Sequence, residues 1–191
     1  MMCDCRRPLP GLSLIHISAY GIIANLALVA IAIFQGLSTG MQPLVSRSSG
    51  EGDHAALRRL YRYGIITALG IATVIYALVC TCAVPISAAF NSAGDPVLMG
   101  YAVPGLRIYF LGFWCAGLNI VSAAFFSASD QTAIGFAISL VRGVAAIPPI
   151  LFALAALFGV TGVWAAFPAV EAVTAILTLL CVRHAFTSGK I

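Results

Sequence analysis

The chain has 191 residues, of which 61% are hydrophobic and 8% charged, with a mean hydropathy of +1.04 and a formal net charge of +4. Soluble domains carry roughly 25% charged residues, so an ordinary water-facing surface is excluded and a lipid bilayer is the expected surrounding. Ten basic residues against six acidic ones are too slight an excess, in too apolar a chain, to suggest nucleic acid. They fit the Lys/Arg surplus of cytoplasmic membrane loops.

In chain order, residues 1–18 form a leader expected to be non-native or disordered. The run Leu12 to Ser18, reading LSLIHIS, resembles the translation of a transposase end sequence used in sequencing libraries. A signal peptide is the rival reading, but Pro8 and Pro10 interrupt the apolar stretch and no small-x-small cleavage site follows. Cys3 and Cys5 have the wrong spacing for a zinc knuckle or redox pair. Cys80, Cys82, Cys115 and Cys181 lie in apolar runs, where cysteine behaves as a small hydrophobe. The three histidines show no ligand spacing, so no metal site and no cofactor are expected.

A bilayer core of about 30 Å needs roughly 20 apolar helical residues. Five stretches qualify, at about residues 18–45, 63–84, 103–128, 131–158 and 161–182. They are apolar on all sides, which suits lipid-embedded helices; the alternating strands of a barrel do not appear. The expected fold is an all-α integral membrane protein with five transmembrane helices. Residues 187–191 are a short tail.

Arg47, Arg58, Arg59 and Arg62 follow the first helix, and Arg183 and Lys190 follow the fifth. Both groups are expected on the cytoplasmic side, with the C-terminus inside. Arg6 and Arg7 then fall on the outer face. A foreign leader, or a missing helix ahead of residue 19, resolves that conflict.

Within the first helix, Gly36 and Gly40 share a face and permit close helix packing. Gln35 is deep in an apolar run and is expected to face protein or a cavity; Pro43 is expected to end the helix. Ser48 to Asp53 supplies turn and capping residues. Ala55 to Arg62 reads as a short interfacial helix whose arginines meet anionic headgroups. Pro148-Pro149 and Pro168 are expected to kink their helices.

Glu171 is the sharpest residue. An intramembrane carboxylate is rare and points to an ion or proton pathway. Arg142, in the preceding helix, is its natural partner. Two readings stand: a buried pair that only neutralises charge, or a cation site. Asn119, Ser122 and Tyr109 are weaker candidates for a polar lining, and interhelical hydrogen bonds explain them equally well.

These residues carry a resemblance. GLSTGMQPLVSRSSGEGD resembles the G-x-x-x-G-x-Q-P-L-(I/V)-S-x-x-x-G-x-G signature of multidrug and toxic compound extrusion (MATE) transporters. Gly105-Leu106-Arg107, Arg142 before a proline-rich stretch, and the run from Gly159 to Glu171 follow in that family's order. The last is similar to its G-x-x-G-x-W-x-x-x-P-x-x-(D/E). The resemblance covers about residues 19–186 and implies a partial C-terminal lobe, the last five helices of a twelve-helix, two-lobe antiporter. It implies efflux of cationic amphipathic small molecules in exchange for sodium ions or protons, in the inner (plasma) membrane. It also implies a missing N-terminal lobe and a fragment inactive alone. A lipid-linked sugar flippase of similar fold and a structural membrane subunit are the alternatives. An enzyme is disfavoured, since no paired carboxylates or His-rich motif faces either surface.

Overall fold

A computed structural model describes residues 10–91 and 95–187, with side chains from Ala19 onward. Residues 1–9 of the leader, with Arg6, Arg7, Cys3 and Cys5, lie outside the described residues, as do 92–94 and the tail from 188, with Lys190. Residues 10–18 are helical and continue into the first span.

Helix α1 is Pro10–Gly50 and α2 is His54–Phe90. The sequence expectation ended α1 near residue 45, at Pro43. The helix instead runs through Pro43, since a proline this near the end removes one backbone donor while the remaining turns hold. Beyond Gly50, Gly52 adopts φ +69°, a conformation that glycine reaches without steric penalty. Asp53 then caps α2 by accepting the Ala56 N–H at 2.9 Å. Arg47 Nε donates to Glu51 Oε1 at 2.8 Å across the turn. Ala55 to Arg62 is not a separate interfacial helix. No glycine or proline interrupts this strongly helix-forming run, so it forms the first turns of α2.

Helices α3, Pro96–Phe110, and α4, Phe113–Ala128, meet at a 43° bend. Together they make the third pass, which begins before the expected residue 103 and is broken within. A Cβ on Gly112 at the bend would lie 2.9 Å from the Phe167 ring and the Pro168 Cα.

Helix α5 is Thr132–Leu140. A π-helical segment, Val141–Ala145, follows, and α6 is Ile147–Thr187. Pro148 and Pro149 do not kink the middle of a helix as expected. They open α6, and the disturbance falls one turn earlier. Two successive prolines withhold the donors for the carbonyls four residues before them. The backbone there shifts to wider bonding, with Ala146 N–H donating to Val141 O at 2.9 Å. Pro168 does not interrupt the helical backbone either. The non-helical residue inside α6 is Gly159, at φ 58° and ψ −133°.

Gly159 reverses the chain. Arg142 and Glu171 are in contact although 29 residues apart, a separation that would span about 43 Å along one continuous helix. Residues 132–158 and 160–187 are therefore two antiparallel passes. With α1, α2 and the bent α3–α4 pair, the described residues make five helical passes, as expected.

Helix α4 is the centre, packing on α1, α2, α5 and α6. It buries Phe113, Ile120, Val121, Phe125 and Phe126. Small residues let its neighbours approach. On α2, Gly64, Ala68 and Ala72 form a buried row, and a Cβ on Gly64 would lie 2.7 Å from Met41 Sδ. A Cβ on Gly117 would meet the Phe34 ring at 2.8 Å. Gly36 and Gly40 make no such approach: a Cβ on either meets nothing within 4 Å. Their face of α1 is exposed.

The outward faces are apolar, including Phe152 and Leu157, each 74% exposed. In Thr132–Thr187 the most apolar window has a mean hydropathy of 2.2, yet only 6% of it is buried. An oily exterior of this kind requires lipid.

Close packing yields a direct prediction. A methyl on Gly162 would sit 1.9 Å from the Leu154 carbonyl oxygen across the reversal. Gly162→Ala should sharply lower the thermal unfolding midpoint in detergent. Gly159→Ala should destabilise by about 1–3 kcal/mol, because ordinary side chains avoid its backbone conformation. Gly36→Ala should leave the midpoint unchanged; equal losses at all three positions would contradict this packing.

Candidate functional site

The site begins with one carboxylate that the fold withdraws from its surroundings. Glu171 is 2% exposed, and an unpaired charge at such a position is strongly unfavourable. Two other elements supply partners. From the π segment, Arg142 Nε donates to Glu171 Oε1 at 2.6 Å. From α4, Asn119 Nδ2 donates to Glu171 Oε2 at 2.8 Å and to its backbone oxygen at 2.9 Å. Two turns further along α6, Thr178 Oγ1 donates to Asn119 Oδ1 at 2.9 Å. Glu171 to Thr178 is seven residues, two turns, so both project from one face. That spacing was visible in the sequence, but threonine in a membrane helix usually bonds its own backbone, and Thr178 drew no attention.

The π segment matters to this geometry. A π turn displaces the residues it carries relative to a regular α-helix. Here it holds Arg142 opposite Glu171 on the antiparallel pass. The Arg142 side chain is 22% exposed while that of Glu171 is 2% exposed. The pair therefore has one end sealed in protein and the other open.

It opens onto a cavity of about 600 Å³. Arg142 and Glu171 line it with Tyr20, Tyr109, Phe167 and apolar side chains of α1 and α6. Tyr109 and Phe167 stack face to face, with centroids 4.3 Å apart and planes 7° apart. Tyr20 and Phe167 had no distinctive sequence signal; they are aromatic residues in apolar runs.

Of the sequence candidates, the fold brings Glu171, Arg142, Asn119 and Tyr109 together. It does not include Gln35, which stands on the exposed face of α1 and faces neither the described helices nor this cavity. Gln35 lies one turn from Ile31, which lines the cavity, yet is not itself a lining residue. Ser122 lies elsewhere, sharing a 2.9 Å hydrogen bond with Tyr61. Among the described residues, no three His, Cys, Asp or Glu side chains gather as a metal site.

Apolar passes closed around a polar clamp that borders a cavity define a multi-pass membrane protein. The MatE family model matches residues 10–152, and the chain belongs to that family. No match is found among curated proteins. The fold is similar to an outward-facing multidrug resistance MATE transporter of the MOP superfamily, with TM-score 0.83 and 18% identity over 91% of this chain and 39% of that one. An inward-facing MATE transporter of the same superfamily gives TM-score 0.82 at 18% identity, covering 92% and 42%. The Vibrio cholerae transporter VcmN, as an aspartate-to-asparagine variant, gives 0.84 at 17% identity, covering 94% and 41%. The chain thus spans about two fifths of the length of these structures. At such identities the likeness is one of fold.

The clamp predicts non-additive stability. Arg142→Met leaves Glu171 buried without its cation and should destabilise by about 3–5 kcal/mol. Arg142→Met combined with Glu171→Gln should recover most of that loss. Asn119→Ala should cost about 1–3 kcal/mol by stranding two buried partners. Denaturation of the single and double variants in detergent measures the coupling; additive losses would show the contact to be energetically idle.

Proposed function

We propose that the chain is part of the C-terminal lobe of a cation-coupled multidrug efflux antiporter, set in the plasma membrane with its C-terminus cytoplasmic. The observation that carries this reading is the uneven burial of the Arg142–Glu171 pair at the edge of the cavity. A carboxylate meant only for structure gains nothing by bordering a cavity through a partly exposed partner. A carboxylate that exchanges partners needs that arrangement. An arriving cation, a sodium ion or a proton, takes the place of Arg142 on Glu171 and releases the guanidinium toward the cavity. Arg142 is then the resident stand-in for the coupling ion.

The cavity chemistry supports cationic amphipathic substrates. Its lining is mainly apolar and aromatic, with the stacked Tyr109–Phe167 pair beside a carboxylate. Aromatic faces and a carboxylate both attract cations.

The lobe fits outward-facing and inward-facing relatives almost equally, with TM-scores of 0.83 and 0.82. That supports alternating access by movement between lobes whose own folds persist. A second, N-terminal lobe would complete the pathway, so the chain alone is inactive in transport.

Two measurements test the proposal. Ethidium binding to the purified chain should weaken about tenfold in Glu171→Gln, the loss of one charge contact of ordinary strength, and should lose its dependence on sodium or pH. Gln35→Ala should bind as the parent does. Binding indifferent to Glu171→Gln would sink the proposed site. Vesicles containing only this chain should show no ethidium efflux, and measurable efflux would refute the single-lobe reading.

A further inference from the structure

Helix α1 carries a polar seam that no described element covers. Gln35, Thr39 and Gln42 are exposed, and their spacing of four and three residues puts them on one face. Among the described residues, none of these side chains makes a hydrogen bond. The seam lies deep. Residues 19–46 include no charge, and Arg47 is the first. Gln35 precedes Arg47 by 12 residues, about 18 Å of helix, and Thr39 precedes it by about 12 Å. The hydrocarbon layer is about 30 Å thick, so both stand inside it. Amides and hydroxyls that face lipid at this depth go unpaired, a cost that contact with another helix removes.

Reach and charge decide what can cover the seam. Helices α2, α3 and α4 pack on other faces of α1, and α6 packs little on it. Residues 1–9 join at Pro10, which is 25 residues from Gln35 along α1, about 37 Å of helix. Nine residues span at most about 32 Å when fully extended. The four residues after Thr187 span at most about 14 Å. The cover for this face therefore comes from another molecule. That molecule meets no charge here, only amides and a hydroxyl, each of which both donates and accepts. A face of that chemistry is its own complement.

We propose that the seam joins two copies of this chain in a parallel dimer. Copies inserted in one membrane carry their arginines on the same side, so equal depths meet about a two-fold axis along the membrane normal. Gln35 then pairs with Gln35 of the second copy, one turn above the two Thr39 hydroxyls. Gly36 and Gly40 stand beside the seam with open space around them, and their bare backbone lets the helices approach closely enough for those hydrogen bonds. The absence of charge along residues 19–46 means that the two-fold axis opposes no like charges. The contact is separate from the Glu171 clamp and does not depend on the transport reading.

The test uses the full chain. In membranes, oxidation of Gln35→Cys should yield a covalent dimer well above the background set by the native cysteines of the parent. Ile33→Cys lies at nearly the same depth but about 160° away around the helix, and it should stay at that background. In purified form, dilution into lipid bilayers followed by counting of chains per particle gives the dimer's dissociation. The double variant Gln35→Leu, Thr39→Val should dissociate about tenfold more readily than the parent. Its unfolding midpoint, taken where the parent is monomeric, should match the parent's; if it falls, the cysteine comparison still decides. A parent that is monomeric at every dilution, or equal crosslinking at positions 33 and 35, would overturn the proposal. Reaction of Gln35→Cys with a charged, membrane-impermeant thiol reagent in place of crosslinking would overturn it in favour of a water-filled cleft. Crosslinking to a different protein and not to a second copy would overturn it in favour of a foreign partner.

Discussion

A carboxylate almost wholly buried among helices governs this bundle. Glu171 is sealed on α6, and burial of its charge is tolerable only if other elements bring it a cation and hydrogen-bond donors. That requirement ties the chain across long separations. The π segment must lie alongside α6, so the chain must reverse at Gly159. Helix α4 must approach closely enough for Asn119 to reach both the side chain and the backbone of Glu171. The central position of α4 and the close contact at Gly112 against Pro168 belong to the same arrangement.

The same feature that stabilises the bundle limits its rigidity. An ion pair closed on both sides is a fixed strut. Here the carboxylate end is fixed by Asn119, which Thr178 orients in turn, while the guanidinium end stays partly open. The pair can exchange without dismantling the hydrogen bonds that position Glu171. Packing elsewhere is tight, with glycine or alanine at the helix contacts and aromatic rings around α4.

The fold was legible because hydropathy alone decides passage through lipid, and the arginines mark one end. The Asp130 carboxylate after α4 is 3.4 Å from the Ser49 hydroxyl at the end of α1, so the two turns share that end. The Glu171–Arg142 pair was legible for a related reason: few other charges lie at such depth. Packing was not. Gly36 and Gly40 carry the local signature of a helix interface, but a spacing rule states which residues share a face and not what that face meets. The contacts formed instead along Gly64, Ala68 and Ala72. Gln35 failed similarly, because a polar side chain in an apolar run has no phase until the helix is docked. The proline pair was seen, but its effect was misplaced. Proline removes a donor, and the strain appears at the unpaired acceptor one turn earlier.

That displacement has a structural meaning of its own. A π turn is, in register, a single residue inserted into an α-helix. Each residue of an α-helix advances the face by about 100°, so the insertion fixes the azimuth of everything before it relative to residues 147–158. Arg142 and the lipid-facing Phe152 and Leu157 lie on opposite sides of that phase step. Shortening the segment by one residue would leave composition, hydropathy and span length almost untouched. It would nevertheless turn the guanidinium away from its carboxylate, or the oily face away from the bilayer.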